Sequence, residues 1–483
     1  GGIDVSELVI PAPKGSVSNL RGETISLEDY YSSNKLTIWL NWAAWCPHSM
    51  DLIQYLIPLY NAYKSKGLGM LAYDAIAWVS PCDTQEHIIS AIDKRQIPWE
   101  NNIVMSESGD GVNNFICSVF KFTLPEIAVV DSEGNIVLQM RTKLDGYDTI
   151  HEALSALLAK ELGNVVLEKP ELYESKDYYR DGEVITLQTH SKGAGIDVVL
   201  MGDGFVDTDM ETGGTYEQLM RKTMESLFVE APMKHYRDYF DVYAVKAVSK
   251  NNIISTETET IFGTWFGNGT EVGGNNEKCL EYAKKVEGID LTKSIVICLM
   301  NQRYYAGTCY MFTDNSNVSY FPLGYDDTML TQLVNHEAVG HGFGKLLDEY
   351  EDNLGHITLE EINSFNNKVI AYGWGENVDI EKEPEQVKWK QFLSDTRYSE
   401  EGLGVFEGAL TYQYGAYRPS SNSIMRYNTG GFNAPSRFAI WKRIMEYGGV
   451  ADSGYADFAS YDEINRNGAS AAMHKSRRAN YVE

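Results

Sequence analysis

The chain has few cysteines and an excess of acidic over basic residues. Six cysteines in 483 residues are too few and too scattered for a disulfide framework, which excludes a small disulfide-stabilised scaffold. Lys and Arg number 41 against 68 Asp and Glu, and the formal charge is −27. Because no block rich in lysine or arginine interrupts this negative charge, we expect no nucleic-acid partner.

Long hydrophobic runs are also missing. No segment approaches the roughly 20 apolar residues of a transmembrane helix, so no transmembrane segment is predicted. No signal peptide is visible at Gly1, and the start Gly1-Gly2-Ile3 looks like a trimmed end. Membrane attachment through a removed N-terminus therefore stays open. With 43% hydrophobic residues, the chain is long enough for two or three domains with hydrophobic cores.

The first third alternates between strand and helix patterns. Residues 35–42 and 69–79 are predicted strands, and residues 49–64 carry apolar side chains at helical spacing. Two further apolar runs, 126–130 and 135–140, flank a turn sequence and predict a hairpin. This order is that of a thioredoxin-like fold, which we assign to residues 1–164.

A cysteine stands at the predicted strand-to-helix junction of this domain. Its surroundings, Trp45-Cys46-Pro47-His48-Ser49, resemble the Trp-Cys-Pro-x-Cys redox site of thioredoxin-like proteins, and Thr123-Leu124-Pro125 matches the position of that family's cis-proline. A helix N-terminus would make the Cys46 thiol nucleophilic. Ser49 replaces the second cysteine, so dithiol cycling is excluded unless Cys82 or Cys117 lies close. A degenerate docking domain and mixed-disulfide chemistry both remain open.

The composition changes after the first domain. Residues 165–194 are charged and tyrosine-rich and include the alternating run 184–189, which predicts a linker with a small β element. Residues 195–483 form a second α/β domain in this interpretation. Its predicted elements include the amphipathic helix 215–229 and the buried strand 294–300.

The densest chemical motif lies in the second domain. It reads Val-Asn-His336-Glu337-Ala-Val-Gly-His341-Gly-Phe-Gly-Lys-Leu-Leu-Asp348-Glu349-Tyr. Two histidines, a glutamate beside the first and a downstream acidic pair are the ingredients of a catalytic zinc site. In such a site three protein ligands hold the metal, and the glutamate takes a proton from the attacking water.

The histidines have unusual spacing. Positions i and i+4 of a helix lie about 40° apart around the axis, whereas i and i+5 lie about 140° apart. His336 and His341 are at i and i+5, so shared ligation requires a locally widened turn. We predict a π-bulge over residues 338–340, where Gly340 softens the helix. The alternative is an ordinary helix that carries two unrelated histidines.

The run that follows His341 resembles the zinc-binding sequence of the immunoglobulin A-cleaving metallopeptidase family, whose members are metzincin-like. The resemblance extends over residues 195–450, including 196–205 and the substrate-side edge segment 301–307. It implies a metzincin-like α/β zinc-peptidase domain with His336, His341 and Asp348 as metal ligands and Glu337 as general base. The residue inserted between Glu337 and His341 departs from the family pattern. Glu349, His356 and Glu407 remain alternatives for the third ligand.

A second motif supports the same resemblance. Ser423-Ile424-Met425-Arg426-Tyr427 is similar to the metzincin Met-turn. The resemblance implies that Met425 forms the apolar floor of the metal site and that Tyr427 stabilises the oxyanion.

These residues predict a zinc-dependent endopeptidase that is secreted, periplasmic or on the cell surface. Its substrate would be an extracellular protein or glycoprotein, and the resemblance implies one like immunoglobulin A. Two alternatives remain: an inactive pseudo-peptidase that binds peptides or glycoproteins, and a thiol-dependent redox protein acting through Cys46. A calcium ion at Asp203, Asp207 and Asp209 is a weaker prediction, because their spacing fits turn and capping roles better.

Overall fold

A computed structural model describes residues 9–44, 46–74, 85–104, 124–141, 147–165, 170–267, 270–324, 326–428, 430–452 and 454–466. These residues fall into two units, one within residues 1–169 and the other within residues 170–476. The strand Val184–Gln188, which falls in the predicted linker, belongs to a six-stranded sheet of the second unit. Each unit is described separately.

The first unit is an α/β unit with a five-stranded sheet. Two short strands, β1 (Ser16–Ser18) and β2 (Thr24–Ser26), form a separate pair. The five-stranded sheet consists of β3 (Leu36–Trp42), β4 (Leu68–Asp74), β5 (Asn102–Val104), β6 (Glu126–Asp131) and β7 (Ile136–Arg141). Its helices are α1 (Leu27–Ser33), α2 (Pro47–Tyr63), α3 (Gln85–Arg95) and α4 (Tyr147–Leu162).

The sheet order identifies the fold of this unit. The order is β5-β4-β3-β6-β7, with β3, β4 and β5 parallel and with β6 and β7 antiparallel to their neighbours. Both β3 and β4 are buried along their whole length, as expected for central strands covered by helices. The predicted thioredoxin-like fold is confirmed, including the hairpin that β6 and β7 form.

The Cys46 segment has the arrangement expected at the strand-to-helix junction of a thioredoxin-like fold. Cys46 is the N-cap of α2 and is buried, and the Leu124–Pro125 peptide bond is cis as predicted. The hydroxyl of Ser49, at the position of the missing cysteine, accepts a hydrogen bond from the backbone N–H of Ala43. Cys82 and Cys117 lie outside the described residues, as do Trp45 and Thr123.

The second unit contains a six-stranded sheet and most of the described helices. Its strands are β8 (Val184–Gln188), β9 (Ile196–Asp203), β10 (Phe240–Val245), β11 (Trp265–Phe266), β12 (Val272–Gly273), β13 (Ile295–Met300), β14 (Thr308–Met311), β15 (Asn317–Pro322), β16 (Glu351–His356), β17 (Phe406–Ala409) and β18 (Thr411–Arg418). Its helices are α5 (Thr215–Leu227), α6 (Asn276–Ala283), α7 (Asp327–Leu333), a π-helix (Val334–Phe343), α8 (Leu359–Tyr372), α9 (Lys390–Ser394), α10 (Ile424–Tyr427), α11 (Ala434–Tyr447) and α12 (Tyr455–Asn465).

The main sheet has a buried face on each side. Its order is β14-β15-β13-β9-β10-β8, and only β14 and β8 run antiparallel to their neighbours. Val198 and Leu200 of β9 face one hydrophobic core, whereas Val199 and Met201 face the other, as the two-residue repeat of a strand requires. The first core also contains residues of α5, α7, the π-helix and α11, so the histidine segment is packed against the sheet.

A smaller sheet lies after the π-helix in sequence. Its order is β16-β18-β17, and β17 and β18 form a hairpin whose tip is Leu410. A separate small core joins this sheet to α8 through Ile357, Phe365 and Ala416. None of the described helices combines the length and the apolar character that crossing a bilayer requires.

Candidate metal centre

The histidines lie on a π-helix that continues directly from α7. Asp326 caps α7 by accepting a hydrogen bond from the backbone N–H of Met329, and the chain then widens into the π-helix Val334–Phe343. The N–H of Gly344 donates to the carbonyl of Val339, five residues earlier. The predicted π-bulge is confirmed, although the widened segment is longer than residues 338–340. Wider winding compensates for the extra residue between the histidines.

The predicted ligand atoms converge. His336, His341 and Asp348 each offer one atom, and these atoms all lie within 4.8 Å of one another. The Asp348 Oδ1 atom lies 3.2 Å from Nε2 of His336 and 2.9 Å from Nε2 of His341. The two imidazole rings are nearly perpendicular, at 77°, with centroids 4.9 Å apart. Two nitrogens and one carboxylate oxygen are donors that suit zinc.

Backbone carbonyls orient both rings. Nδ1 of His336 donates to the carbonyl of Ile424 at 2.8 Å, and Nδ1 of His341 donates to the carbonyl of Leu346 at 2.7 Å. Because a carbonyl only accepts, each Nδ1 carries the proton, and in the neutral ring each Nε2 has its lone pair available. Both rings therefore direct Nε2 towards Asp348, where this atom can bind a metal in the neutral ring and donates a hydrogen bond to the carboxylate in the protonated ring.

The three groups are electrostatically coupled. Burial opposes the charged form of His341, but the carboxylates of Asp348 and Glu337 and the hydrogen bond to Leu346 together outweigh it and raise the pKa of His341 to about 9. Burial alone would raise the pKa of Asp348, yet His341 and hydrogen bonds from both histidines hold that pKa well below its usual value. A metal that binds here has to displace the proton that these groups share.

Glu337 lies beside the ligands and against the edge of the main sheet. Its carboxylate is 3.9 Å from Nε2 of His336 and is buried. The other neighbour is Gly307, the residue before the edge strand β14, where a Cβ atom would come within 2.9 Å of Oε1 of Glu337. The absence of a side chain at Gly307 leaves this space to the carboxylate. Glu337 is placed between the ligand cluster and the strand edge.

The Met-turn motif packs beneath the π-helix. Met425 in α10 is fully buried, and a Cβ atom at Gly340 would overlap its sulfur. The carbonyl of the preceding residue, Ile424, is the acceptor that orients His336. Tyr427 is also fully buried, and the guanidinium of Arg426 lies 4.4 Å from its ring centroid.

Comparison with known proteins adds a family to this geometry. Residues 185–399 match the model of the IgA Peptidase M64 family. The predicted resemblance to the IgA peptidases is confirmed over this segment, which holds the histidines, Glu337 and Asp348 but ends before the Met-turn. The match supports a peptidase, although it spans less than half of the chain. A comparison with curated proteins found no match.

Solved structures resemble the first unit. A thiol:disulfide interchange protein from Bacteroides sp. is 23% identical, with a TM-score of 0.26, and the match covers 33% of this chain and 94% of that protein. A thioredoxin family protein from Chlorobium tepidum TLS is 17% identical, with a TM-score of 0.25. That match covers 30% of this chain and 97% of the Chlorobium protein. These scores are low, and the thioredoxin-like fold rests on the sheet order given above.

The alternative third ligands lie elsewhere in the peptidase region. Glu349 is buried with its carboxylate bound to Asn377, Ser423 and Asn433, at 2.8, 3.0 and 2.8 Å. His356 donates from Nδ1 to the carbonyl of Ile357, and Glu407 accepts from the hydroxyl of Tyr417. None of the three joins the ligand group found among the described residues.

The acidic residues considered for calcium hold loops in place. Asp203 accepts hydrogen bonds from Thr260, Phe262 and Thr264, which anchors the segment that follows β10. Asp207 accepts from the backbone of residues 176, 177 and 208, and Asp209 accepts from the N–H of Val206. Asp209 and Asp207 thus make the local turn contacts that their spacing favours, whereas Asp203 joins two segments that are distant in sequence.

Two residues near the centre had no role in the sequence interpretation. The ring of Tyr350 stacks beside His336, with centroids 6.4 Å apart, and its only sequence signal is its place two residues after Asp348. Lys345 is buried, and its ammonium donates to the carbonyls of Gly342 and Asn315 at 2.7 and 2.8 Å. It thereby joins the end of the π-helix to the turn between β14 and β15.

Proposed function

We propose that this protein is a zinc-dependent endopeptidase in which His336, His341 and Asp348 hold the ion. The observation that carries the proposal is the convergence of two Nε2 atoms and one carboxylate oxygen within 4.8 Å, despite the irregular histidine spacing. A pseudo-peptidase with spoiled ligand geometry would not be expected to retain this convergence. The donor set of two imidazoles and a carboxylate favours zinc over magnesium or calcium.

Glu337 is the proposed general base. A zinc ion in such a site supplies Lewis acidity, which activates a water molecule and polarises the peptide carbonyl. Glu337 lies next to His336, with its carboxylate 3.9 Å from Nε2 of that ring, and it would accept the proton of that water and pass it on to the leaving amine. Its buried position against Gly307 fixes the carboxylate, so little reorganisation is needed at the moment of reaction.

The substrate would bind along β14. Among the described residues this strand is an edge of the main sheet, and an extended peptide would pair with the outer side of its backbone. Because Gly307 immediately precedes β14 and contacts Glu337, a peptide on this edge would pass next to the base. Main-chain pairing of this kind suits an endopeptidase, since it does not depend on a chain terminus.

The remaining assignments follow from the Met-turn. Met425 would form the apolar floor beneath the π-helix, and Tyr427 would donate to the oxygen that becomes negative during attack. An extracellular protein or glycoprotein, of which immunoglobulin A is the example in the family's name, is the proposed substrate class. A secreted, periplasmic or cell-surface location fits that class.

Glu337→Gln tests the proposal. The variant keeps the size and burial of the side chain but removes its basicity, so we expect full zinc content and a loss of about 10²–10⁴-fold in kcat. Glu360→Gln, an exposed change of the same chemistry on α8, is the matched control and should behave as wild type. Zinc is measured by elemental analysis and cleavage by mass spectrometry of peptide mixtures. If Glu337→Gln hydrolysed peptides at the wild-type rate, Glu337 would not be the general base. If the wild-type protein held no zinc after dialysis against zinc, the peptide-binding alternative would be favoured.

A further inference from the structure

A buried arginine lies over the ring of Tyr427, and none of the roles given above uses it. The side chain of Arg426 is 1% exposed, and the carbon of its guanidinium lies 4.4 Å from the centroid of the Tyr427 ring. An aromatic face attracts a cation, and the attraction is stronger where water is excluded. The ring that bears the proposed oxyanion donor therefore has a positive charge held against one of its faces.

The guanidinium of Arg426 is held by a carboxylate from the strand that follows the third proposed ligand. Its Nη2 atom donates to both oxygens of Glu351, at 3.0 and 3.1 Å, and its Nη1 atom donates to the carbonyl of Ser421 at 2.6 Å. Glu351 begins β16 and stands three residues after Asp348. Charge-assisted hydrogen bonds of this kind fix the orientation of a guanidinium as well as its place. Arg426 thus joins the ligand segment to the ring of Tyr427.

Glu351 also pairs with a second buried arginine, Arg418 at the end of β18. Its Nη1 atom lies 3.3 Å from Oε1 of Glu351 and donates to two backbone carbonyls of β17. Burial, followed by the charge of Arg426, lowers the pKa of Arg418 to about 10, so the charge of Arg426 acts on the groups around it. The guanidinium of Arg418 lies over Phe406, 5.8 Å from the ring centroid. The two arginines therefore share a carboxylate but lie over different rings.

We propose that Arg426 is a positioning residue, whose guanidinium fixes the Tyr427 ring and strengthens its hydroxyl as a hydrogen-bond donor to the oxygen that becomes negative during attack. The inference rests on the proposed peptidase function, in which Tyr427 donates to that oxygen. A positive charge beside the phenol ring favours negative charge that develops at the acceptor of its hydroxyl. This benefit arises in the transition state and not when the substrate binds, so loss of Arg426 should lower kcat and leave KM nearly unchanged.

The test uses the zinc-loaded full chain and measures kcat and KM on one cleaved peptide. Arg426→Met keeps an unbranched side chain but removes the charge, so kcat per zinc-loaded molecule should fall by about 10-fold while KM stays within about 2-fold. Arg426→Lys keeps a cation that can lie over the ring and should recover most of this loss.

Arg418→Met is the matched control, because Arg418 binds the same carboxylate but lies over Phe406. It should lower the thermal midpoint while kcat per zinc-loaded molecule stays within about 2-fold of wild type. A loss of kcat in Arg418→Met as large as that in Arg426→Met would show that the buried network only maintains the fold, and it would overturn the proposal.

A double-mutant cycle with Tyr427→Phe separates positioning from a role in folding alone. Without the hydroxyl there is no donor to strengthen, so adding Arg426→Met to Tyr427→Phe should lower kcat by no more than about 2-fold. Calorimetry with a phosphinic peptide, whose charged oxygen resembles that of the tetrahedral intermediate, gives a second measurement that does not depend on turnover. Its affinity should be about 10-fold weaker in Arg426→Met than in wild type, and equal in Tyr427→Phe and the double variant. Equal losses from Arg426→Met in both backgrounds would contradict the proposal.

The outcomes separate this inference from the function on which it rests. If the wild-type chain cleaves no peptide, the peptidase proposal fails and the role of Arg426 fails with it. If the wild-type chain cleaves peptides but Arg426→Met keeps its kcat, only the role of Arg426 is overturned. Zinc content and thermal midpoint are measured for every variant. If Arg426→Met does not fold, Glu351→Gln decides, because it weakens the hold on the guanidinium and should lower kcat only where the Tyr427 hydroxyl is present.

Discussion

Each candidate histidine ligand is oriented by a main-chain carbonyl. His336 depends on Ile424 and His341 depends on Leu346. Side-chain substitution at residues 346 and 424 leaves these acceptors in place, so the rings should tolerate such changes as long as the backbone does not move. Residues whose side chains act directly are better targets for single substitutions.

Tyr427→Phe tests the proposed oxyanion donor. The change removes one hydroxyl from a fully buried ring, so we expect kcat to fall by about 10²–10³-fold with a small effect on KM. Steady-state kinetics on one cleaved peptide measures both. Tyr350→Phe, which retains the ring stacked beside His336, is the comparison. A larger loss of kcat in Tyr350→Phe than in Tyr427→Phe would transfer the role to Tyr350.

Lys345 makes a prediction about stability and pH. Burial disfavours its charged ammonium and lowers its pKa from 10.5 to about 8. Between pH 8 and pH 10.5 the unfolded chain keeps a proton that the folded chain has lost, so this residue makes the free energy of unfolding rise with pH. Lys345→Met should remove that rise, which amounts to at most about 3 kcal/mol.

The measurement is urea unfolding of wild type and Lys345→Met across this pH interval. Lys382→Met, at an exposed position, is the matched control and should keep the wild-type dependence on pH. If the free energy of unfolding depended on pH in the same way for wild type and Lys345→Met, the buried ammonium would not titrate in this range.

At the scale of elements, the centre depends on how the π-helix sits on the Met-turn. Gly340 leaves the space that the sulfur of Met425 occupies, and the same turn supplies the carbonyl that orients His336. The helix winding and the floor beneath it are therefore fitted to each other. A substitution that separates the π-helix from the Met-turn should therefore displace the ligand side chains.

Gly340→Ala is the corresponding prediction. The added methyl group overlaps Met425, so we expect a stability loss of about 1–3 kcal/mol and reduced zinc content. Thermal unfolding and elemental analysis measure these effects. The double variant Gly340→Ala/Met425→Ala should destabilise less than the sum of its single changes. Simple additivity would mean that the two residues do not press on each other.

Patterns within short stretches of sequence predicted individual helices and strands. The helical spacing in residues 49–64 and the family resemblance of residues 196–205 gave elements close to those observed, and the histidine spacing required the widened helix. The residues around the ligands were not predictable in this way. Glu349 binds side chains 28, 74 and 84 positions away, and neither periodicity nor motif spacing encodes such contacts.

At the scale of the whole molecule, the chain joins a thioredoxin-like unit to a peptidase unit. All proposed ligands and catalytic residues come from the second unit, and the buried Cys46 belongs to the first. The finer division into residues 1–164, 165–194 and 195–483 stays a prediction. None of the proposed steps of peptide hydrolysis uses a thiol.

Cys46→Ser separates the peptidase from the thiol-dependent alternative. Serine keeps the size of the side chain at the N-cap of α2, so folding should be retained. We expect kcat/KM for peptide cleavage to stay within about 2-fold of wild type, because no proposed step uses the thiol. Kinetics with and without a thiol reductant provides the measurement. Loss of cleavage together with loss of a trapped disulfide-linked partner would favour the redox alternative.

The adjacency of Asp348 and Glu349 has a consequence for how this protein can vary. One carboxylate faces the ligand cluster, while the next gathers side chains from three distant segments. Replacement of Asn377, Ser423 or Asn433 would loosen a junction that shares its backbone with a ligand. Lineages that lose the activity should therefore be free to change these three positions, whereas active ones should retain all of them together.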